Sequence, residues 1–130
     1  MDIRFTISNY ADGLAYGTLT WAAKGLTSGA VSGPYGRKEL PLGLYHAKRA
    51  GLLNKPGTQG YCDSLNRCWL QALTPQFSTQ RDNLAIHPDG NKLGTLGCIG
   101  ILDADTSAWY DAFFSLPNGT VTTVEVTSKT

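Results

Sequence analysis

The chain has 130 residues and a formal net charge of +1, and only 16% of its residues are charged. This length suggests one domain with a modest core, and without a basic run or stripe nucleic acid is not expected as a partner. Apolar runs stay well below the roughly 18 residues of a membrane span, and the N-terminal "MDIRFTISNY" lacks the regions of a signal peptide. We expect one domain over residues 1–130, made in the cytoplasm and without a membrane span.

Segments in which apolar and polar residues alternate predict a β-rich chain. Turn-forming sequences such as "NYADG" and "PDG" separate these segments. The predicted strands are, in chain order, 3–8, 14–23, 30–32, 44–51, 68–75, 83–87, one that begins at Cys98, and 120–126.

One helix is predicted in "LDADTSAWYDAFFSLPNG". Asp103, Asp105 or Thr106 can cap its N-terminus, and Trp109 and Phe113, four residues apart, share one face. The "LPNG" segment ends the helix. Six to eight short strands with one short helix near the C-terminus predict a mostly-β sandwich or barrel.

The three cysteines divide into a close pair, Cys62 and Cys68, and a remainder, Cys98. The turn-like "DSLNR" between Cys62 and Cys68 allows a disulfide across a tight loop. A reducing cytosol would instead keep two free thiols, and the sequence leaves both states open. Cys98 is a free thiol in either case.

The stretch "LAIHPDGNKLGTLGCIGI" places His87 eleven residues before Cys98. A cysteine nucleophile needs a base for its proton, and the end of one strand can bring His87 close to Cys98 at the start of the next. Gly97 lets a ligand approach the backbone, and the amides of Gly97 and Cys98 are candidate donors to an oxyanion. A carbonyl near Thr95 or Gly97 is expected to orient the imidazole. Asp89, in "PDG", is interpreted as a turn residue rather than a catalytic one.

Two other interpretations of these residues stay open. A single buried cysteine is often an inert apolar residue, and a histidine at a strand end is often only hydrogen-bonded. A zinc site would use Cys62, Cys68, His87 and Cys98, although their spacing departs from the short pairs typical of zinc ligands. We predict no metal and no other cofactor.

Two blocks of the sequence carry a resemblance to a known family. "IHPDG…GTLGCIGI" is similar to the catalytic signature of the L,D-transpeptidase (YkuD-type) family, through His87, Thr95, Gly97, Cys98 and Ile99. Upstream, "VSGPYGRKELPLGLYHAK" is similar to a second family block, through Ser32, Gly33, Pro41, Gly43 and Tyr45. The chain resembles the compact, phage-encoded or effector variants of this catalytic domain.

The resemblance implies a β-rich fold and action on the stem peptides of bacterial peptidoglycan, with the protein expected to be a monomer. In the family the cysteine attacks the carbonyl of the third stem residue, the following D-amino acid leaves, and a thioacyl-enzyme forms. Carried over, Cys98 is the nucleophile and His87 the base. A carbonyl near Thr95 or Gly97 holds the imidazole, and the amides of Gly97 and Cys98 form the oxyanion hole.

This chain departs from the family pattern at one residue and in one spacing. Gly100, which we expect to contact the substrate, stands where the family usually has arginine. Arg81 is the substitute cation that we expect near the substrate. Tyr35, in "SGPYG", is expected to line the same substrate cleft. The gap between His87 and Cys98 is also shorter than usual, which implies a more open cleft.

These features favour cleavage of stem peptides at an L,D bond over the building of cross-links. Without a signal peptide, the protein is expected to reach the periplasm or cell wall by another route. Formation of cross-links or exchange of D-amino acids is the alternative within the family. A non-catalytic wall-binding module with the same fold is the alternative of another class. We expect a working Cys98 to react faster than an ordinary thiol near neutral pH.

Overall fold

Strands account for most of the regular structure in residues 2–90 and 92–129, which the computed structural model describes. The strands are β1 (Ile3–Ala11), β2 (Leu14–Trp21), β3 (Leu26–Ser32), β4 (Gly43–Lys48), β5 (Leu52–Asn54), β6 (Trp69–Pro75), β7 (Leu84–Pro88), β8 (Ile99–Ile101) and β9 (Val121–Ser128). The helix α1 spans Ser107–Phe114, and short 3₁₀ turns cover Ala22–Lys24, Arg49–Gly51 and Gln59–Tyr61.

These strands form a single sheet whose two ends meet. Neighbouring strands follow the order β4, β9, β1, β2, β3, β8, β7, β6 and β5. β4 also pairs with β6, through Tyr45 opposite Pro75 and His46 opposite Thr74, and this pairing closes the sheet into a barrel. Two pairs are parallel, β1 with β9 and β7 with β8.

Alternate positions along the strands fill the interior of the barrel. Ile3, Phe5 and Ile7 of β1 are fully buried, and the residues between them are partly or fully exposed, as the side-chain period of two in a strand requires. On α1, Trp109 and Phe113 share the buried face and pack against Trp21, with ring centroids 6.3 and 4.9 Å apart. The helix thereby extends the barrel core with an aromatic cluster.

The N-terminus of α1 is satisfied by a carboxylate from another part of the chain. Thr106 occupies the cap position without a capping bond from its own side chain, and its amide and hydroxyl both donate to Asp63 Oδ2 at 2.8 Å. Burial raises the pKa of the Asp63 carboxyl, but hydrogen bonds from Thr106, Arg67 and Leu65 outweigh burial and hold that pKa below its usual value. Of the other predicted caps, Asp105 accepts from the amide of Ser107 and forms an ion pair with Arg67.

The predicted mostly-β fold with one short helix near the C-terminus is confirmed. The predicted count of six to eight strands is too low, because the three residues of β5 are too few to show an alternating pattern. The predicted strand 44–51 ends at Lys48, where the chain enters a 3₁₀ turn. In the described ranges, no helix is long and apolar enough to cross a membrane.

Candidate active site

The parallel pairing of β7 and β8 brings His87 and Cys98 to one cleft. Ile86 lies opposite Ile99 and His87 lies opposite Gly100. Cys98 lies two residues before Gly100 in the chain, so its side chain points to the same face of the sheet as that of His87 and is its diagonal neighbour. Both residues line a cavity of about 280 Å³.

His87 is held in one orientation and in one protonation state. Its Nδ1 lies 2.6 Å from the carbonyl oxygen of Pro88, and because a carbonyl only accepts, Nδ1 carries the proton and donates. The ring of Tyr61 packs edge-on against the imidazole, with centroids 4.8 Å apart. Burial lowers the pKa of His87 to about 4, against a smaller opposite effect of the Pro88 hydrogen bond. At neutral pH the unprotonated Nε2 is therefore available as a base.

The carbonyl that orients the imidazole is not the one expected from the sequence. The carbonyl of Thr95 accepts from the amide of Tyr35 at 3.2 Å, and the contact to Nδ1 comes from Pro88. The expected location near Thr95 or Gly97 was wrong because Pro88 directly follows the histidine in β7, and its own backbone reaches the ring.

Cys98 rests as a protonated thiol. Its side chain is 9% exposed, and Sγ donates to the carbonyl of Asn83 over 3.6 Å. Burial raises the pKa of this thiol, while a hydrogen bond from the backbone of Ala85 and the charge of Arg81 act in the opposite direction. The resting protein therefore holds a thiol and a neutral imidazole in one cleft, and the reactivity of Cys98 toward thiol reagents stays a prediction.

The hydroxyl of Thr95 shapes the loop that carries Cys98. It donates to the carbonyl of Cys98 at 2.6 Å and accepts from the amides of Gly97 at 3.1 Å and Gly33 at 3.2 Å. Thr95 therefore supports the loop through its hydroxyl, and it also lines the cleft. The Gly97 amide, expected in the oxyanion hole, is already bonded to Thr95, which leaves the amide of Cys98 as the candidate donor.

Arg81 lies directly behind the loop that carries Gly97 and Cys98. Its guanidinium donates to the carbonyls of Arg37, Lys38 and Glu39, at 3.0 to 3.4 Å. A Cβ at position 97 would collide with this guanidinium, and Gly97 also has a φ of +124°, so only glycine fits there without strain. Arg81 was expected to contact the substrate, but it is not among the residues that line the cleft. Its positive charge acts on Cys98 from behind the loop.

Gly100 is covered by Asp89 and does not line the cleft. A Cβ at position 100 would lie 2.9 Å from both Asp89 Oδ1 and Thr95 Cγ2. The Asp89 carboxylate accepts from the amide of Gly94 at 3.2 Å, and its own amide donates to Ile101. Burial raises the pKa of Asp89 to about 6, against the effect of the Gly94 hydrogen bond. The proposed contact of Gly100 with substrate was wrong: this residue is small because a loop carboxylate occupies its space.

The walls of the cleft combine one expected residue with three that the sequence reasoning missed. Tyr35 lines the cleft as expected, and Lys92 Nζ lies 4.6 Å above its ring centroid. Tyr61 and the 73% exposed Leu96 form further walls. Lys92 could have been predicted from the sequence, because it is the single cationic residue between His87 and Cys98. The sequence near Tyr61 gives no indication of its contact with the imidazole.

Cys62 and Cys68 form a disulfide, with Cα atoms 4.0 Å apart. This bond removes two of the four residues in the alternative zinc set, and no group of three or more potential metal ligands occurs among the residues described. Cys62 directly follows the 3₁₀ turn that ends in Tyr61. The disulfide therefore fixes the loop that sets Tyr61 against His87.

Comparisons of the chain with protein families, with curated proteins and with solved structures found no match in any of the three. What the cleft can do chemically is therefore inferred from the geometry of its own residues.

The packing of Asp89 over Gly100 predicts that Gly100→Ala destabilises the fold by about 1 to 3 kcal/mol, the usual cost of an extra methyl in a filled space. Gly29→Ala is the matched control, because the nearest atom to a Cβ there is Leu102 Cδ1 at 3.7 Å. Urea unfolding of both variants measures the difference. Equal stability of the two variants would contradict the packing described for position 100.

The buried neutral imidazole predicts a pH-dependent free energy of unfolding. His87 binds its proton near pH 6.5 when unfolded and near pH 4 when folded, so stability falls as the pH drops from about 7 to about 4, by about 3 kcal/mol. The raised pKa of Asp89 acts in the opposite direction, so the effect is read as the difference between wild type and His87→Asn, in which Asp89 is retained. Parallel pH curves for the two proteins would show that His87 titrates normally.

Proposed function

We propose that this protein is a cysteine peptidase that cleaves peptidoglycan stem peptides at an L,D bond through a thioacyl-enzyme. The observation that carries the proposal is that Cys98 lines the same cavity as His87, whose Nδ1 is fixed by the Pro88 carbonyl. This leaves Nε2 as a base in the same cleft as the thiol. Such an arrangement meets the requirements for a nucleophile activated by an adjacent, oriented base.

In the first step, Cys98 Sγ bonds to the carbonyl carbon of the L-residue while its proton passes to Nε2 of His87. Because the resting pair is a neutral thiol and a neutral imidazole, proton transfer accompanies the attack. The backbone amide of Cys98 donates a hydrogen bond to the carbonyl oxygen and stabilises the negative charge that develops there. The positive charge of Arg81 favours the sulfur anion during this transfer.

In the second step, the C–N bond breaks and the imidazolium returns its proton to the leaving amine of the D-residue. A water molecule then gives a proton to Nε2 and attacks the thioester carbonyl, which releases the acid and restores the Cys98 thiol. Water is the acceptor in this proposal because the cleft opens to solvent beside the exposed Lys92 and Leu96. An amine that enters by the same route would give transpeptidation.

The choice of peptidoglycan as substrate rests on the resemblance of the His87 to Ile99 block and of the upstream Ser32 to Tyr45 block to the L,D-transpeptidase family. A wall substrate puts the site of action in the periplasm or cell wall. The Cys62–Cys68 disulfide supports this location, since disulfides persist in oxidising compartments and are rare in the cytosol.

Digestion of purified muropeptides, followed by mass spectrometry, tests the proposal. We expect wild type to remove a terminal D-residue or to split cross-linked dimers. Cys98→Ala and His87→Ala should lower the rate by at least about 10²-fold, because each removes a member of one catalytic unit.

Thermal unfolding of both variants provides the control for folding. New dimers or exchanged D-residues as the only products would favour the transpeptidase alternative. If wild type binds muropeptides but leaves them uncleaved, the result would favour a non-catalytic wall-binding module.

A further inference from the structure

The substrate cleft carries one positive charge with no carboxylate to balance it. Among the described residues that line the cleft, Lys92 alone has a charged side chain, since the buried His87 is neutral. The ion pairs in the described part of the chain join other residues, and Nζ of Lys92 lies over the ring of Tyr35. A bound ligand that brings a negative group would meet this ammonium directly.

The neighbouring charged groups cannot take over this task. The guanidinium of Arg81 is directed to carbonyls of residues 37–39, behind Gly97. The carboxylate of Asp89 is bonded to the amide of Gly94 and packed over Gly100, outside the cleft lining. Lys92 is thus the group through which the cleft selects the charge of its ligand.

Tyr35 is the described neighbour of the exposed Lys92 ammonium, which lies 4.6 Å from the centroid of the Tyr35 ring in a cation–π contact. The backbone beneath Tyr35 is tied to the nucleophile loop, because the Tyr35 amide donates to the carbonyl of Thr95. The aromatic partner of Lys92 is thereby connected to the loop that carries Cys98, and both Lys92 and Cys98 line the same cavity.

We propose that Lys92 is a specificity-determining residue that binds the free α-carboxylate of the residue leaving from Cys98. This inference rests on the proposed function. In a peptide, the α-carboxylate of the last residue is two bonds from the nitrogen of the scissile bond, so one cavity of about 280 Å³ holds both ends of the reaction. The protein is on this account a carboxypeptidase, which requires a chain end.

Two stem tetrapeptides that differ only at the C-terminus test the inference, one with a free carboxylate and one with a carboxamide. Wild type should cleave the acid with a kcat/KM about 10- to 100-fold above that for the amide, the factor expected for a charge-assisted hydrogen bond. Lys92→Met should lose this preference by slowing the acid alone, and Lys92→Arg should retain most of it. Lys24→Met is the matched control, because Lys24 is also exposed but lies over Trp21.

Equal cleavage of acid and amide by wild type, or an unchanged preference in Lys92→Met, would overturn the inference and leave the peptidase intact. If wild type cleaves neither peptide, the proposed function fails, and calorimetry with the Cys98→Ala protein tests Lys92 separately. There the acid should bind about 10-fold tighter than the amide, and Lys92→Met should remove the difference. Equal binding of both peptides would overturn the inference.

Discussion

The parallel pairing of β7 with β8 is the constraint on which the site depends. It places His87 opposite Gly100 and therefore puts Cys98 on the same face, just before β8 begins. Parallel neighbours usually need a long crossover, but these strands overlap by only three residue pairs, so ten residues suffice to return the chain. His87, in this ladder, and Cys98, directly before it, therefore acquire their relative position from the barrel itself.

The connecting loop is stabilised by polar groups that reach into it from both sides. The Thr95 hydroxyl bonds three backbone groups, including the Cys98 carbonyl, and Arg81 supports the loop from behind at Gly97. Buried polar groups of this kind stabilise one conformation because each unmade bond costs free energy. The two glycines at 97 and 100 are consequences of this arrangement, since the Arg81 guanidinium and the Asp89 carboxylate occupy the space of their side chains.

The sequence predicted the barrel strands well where alternation was long, as in β1 and β9, and missed β5, where three residues carry no period. The turn-rich connection left a meeting of His87 and Cys98 open, and the family resemblance favoured it; both residues line one cavity. The carbonyl that orients His87 and the role of Gly100 were misassigned, since both depend on contacts between side chains and backbone that no local pattern encodes. Tyr61 was missed for the same reason, because its loop reaches the imidazole only through the folded chain.

The central claim is that Cys98 becomes acylated by a stem peptide. Acid quenching of wild type during turnover of a stem tetrapeptide, followed by mass spectrometry of the intact protein, tests this claim directly. The account predicts an adduct on Cys98 whose mass equals the substrate minus its terminal D-residue, and no adduct on Cys98→Ala. Product formation without an adduct at any time point, or an adduct that persists in Cys98→Ala, would contradict it.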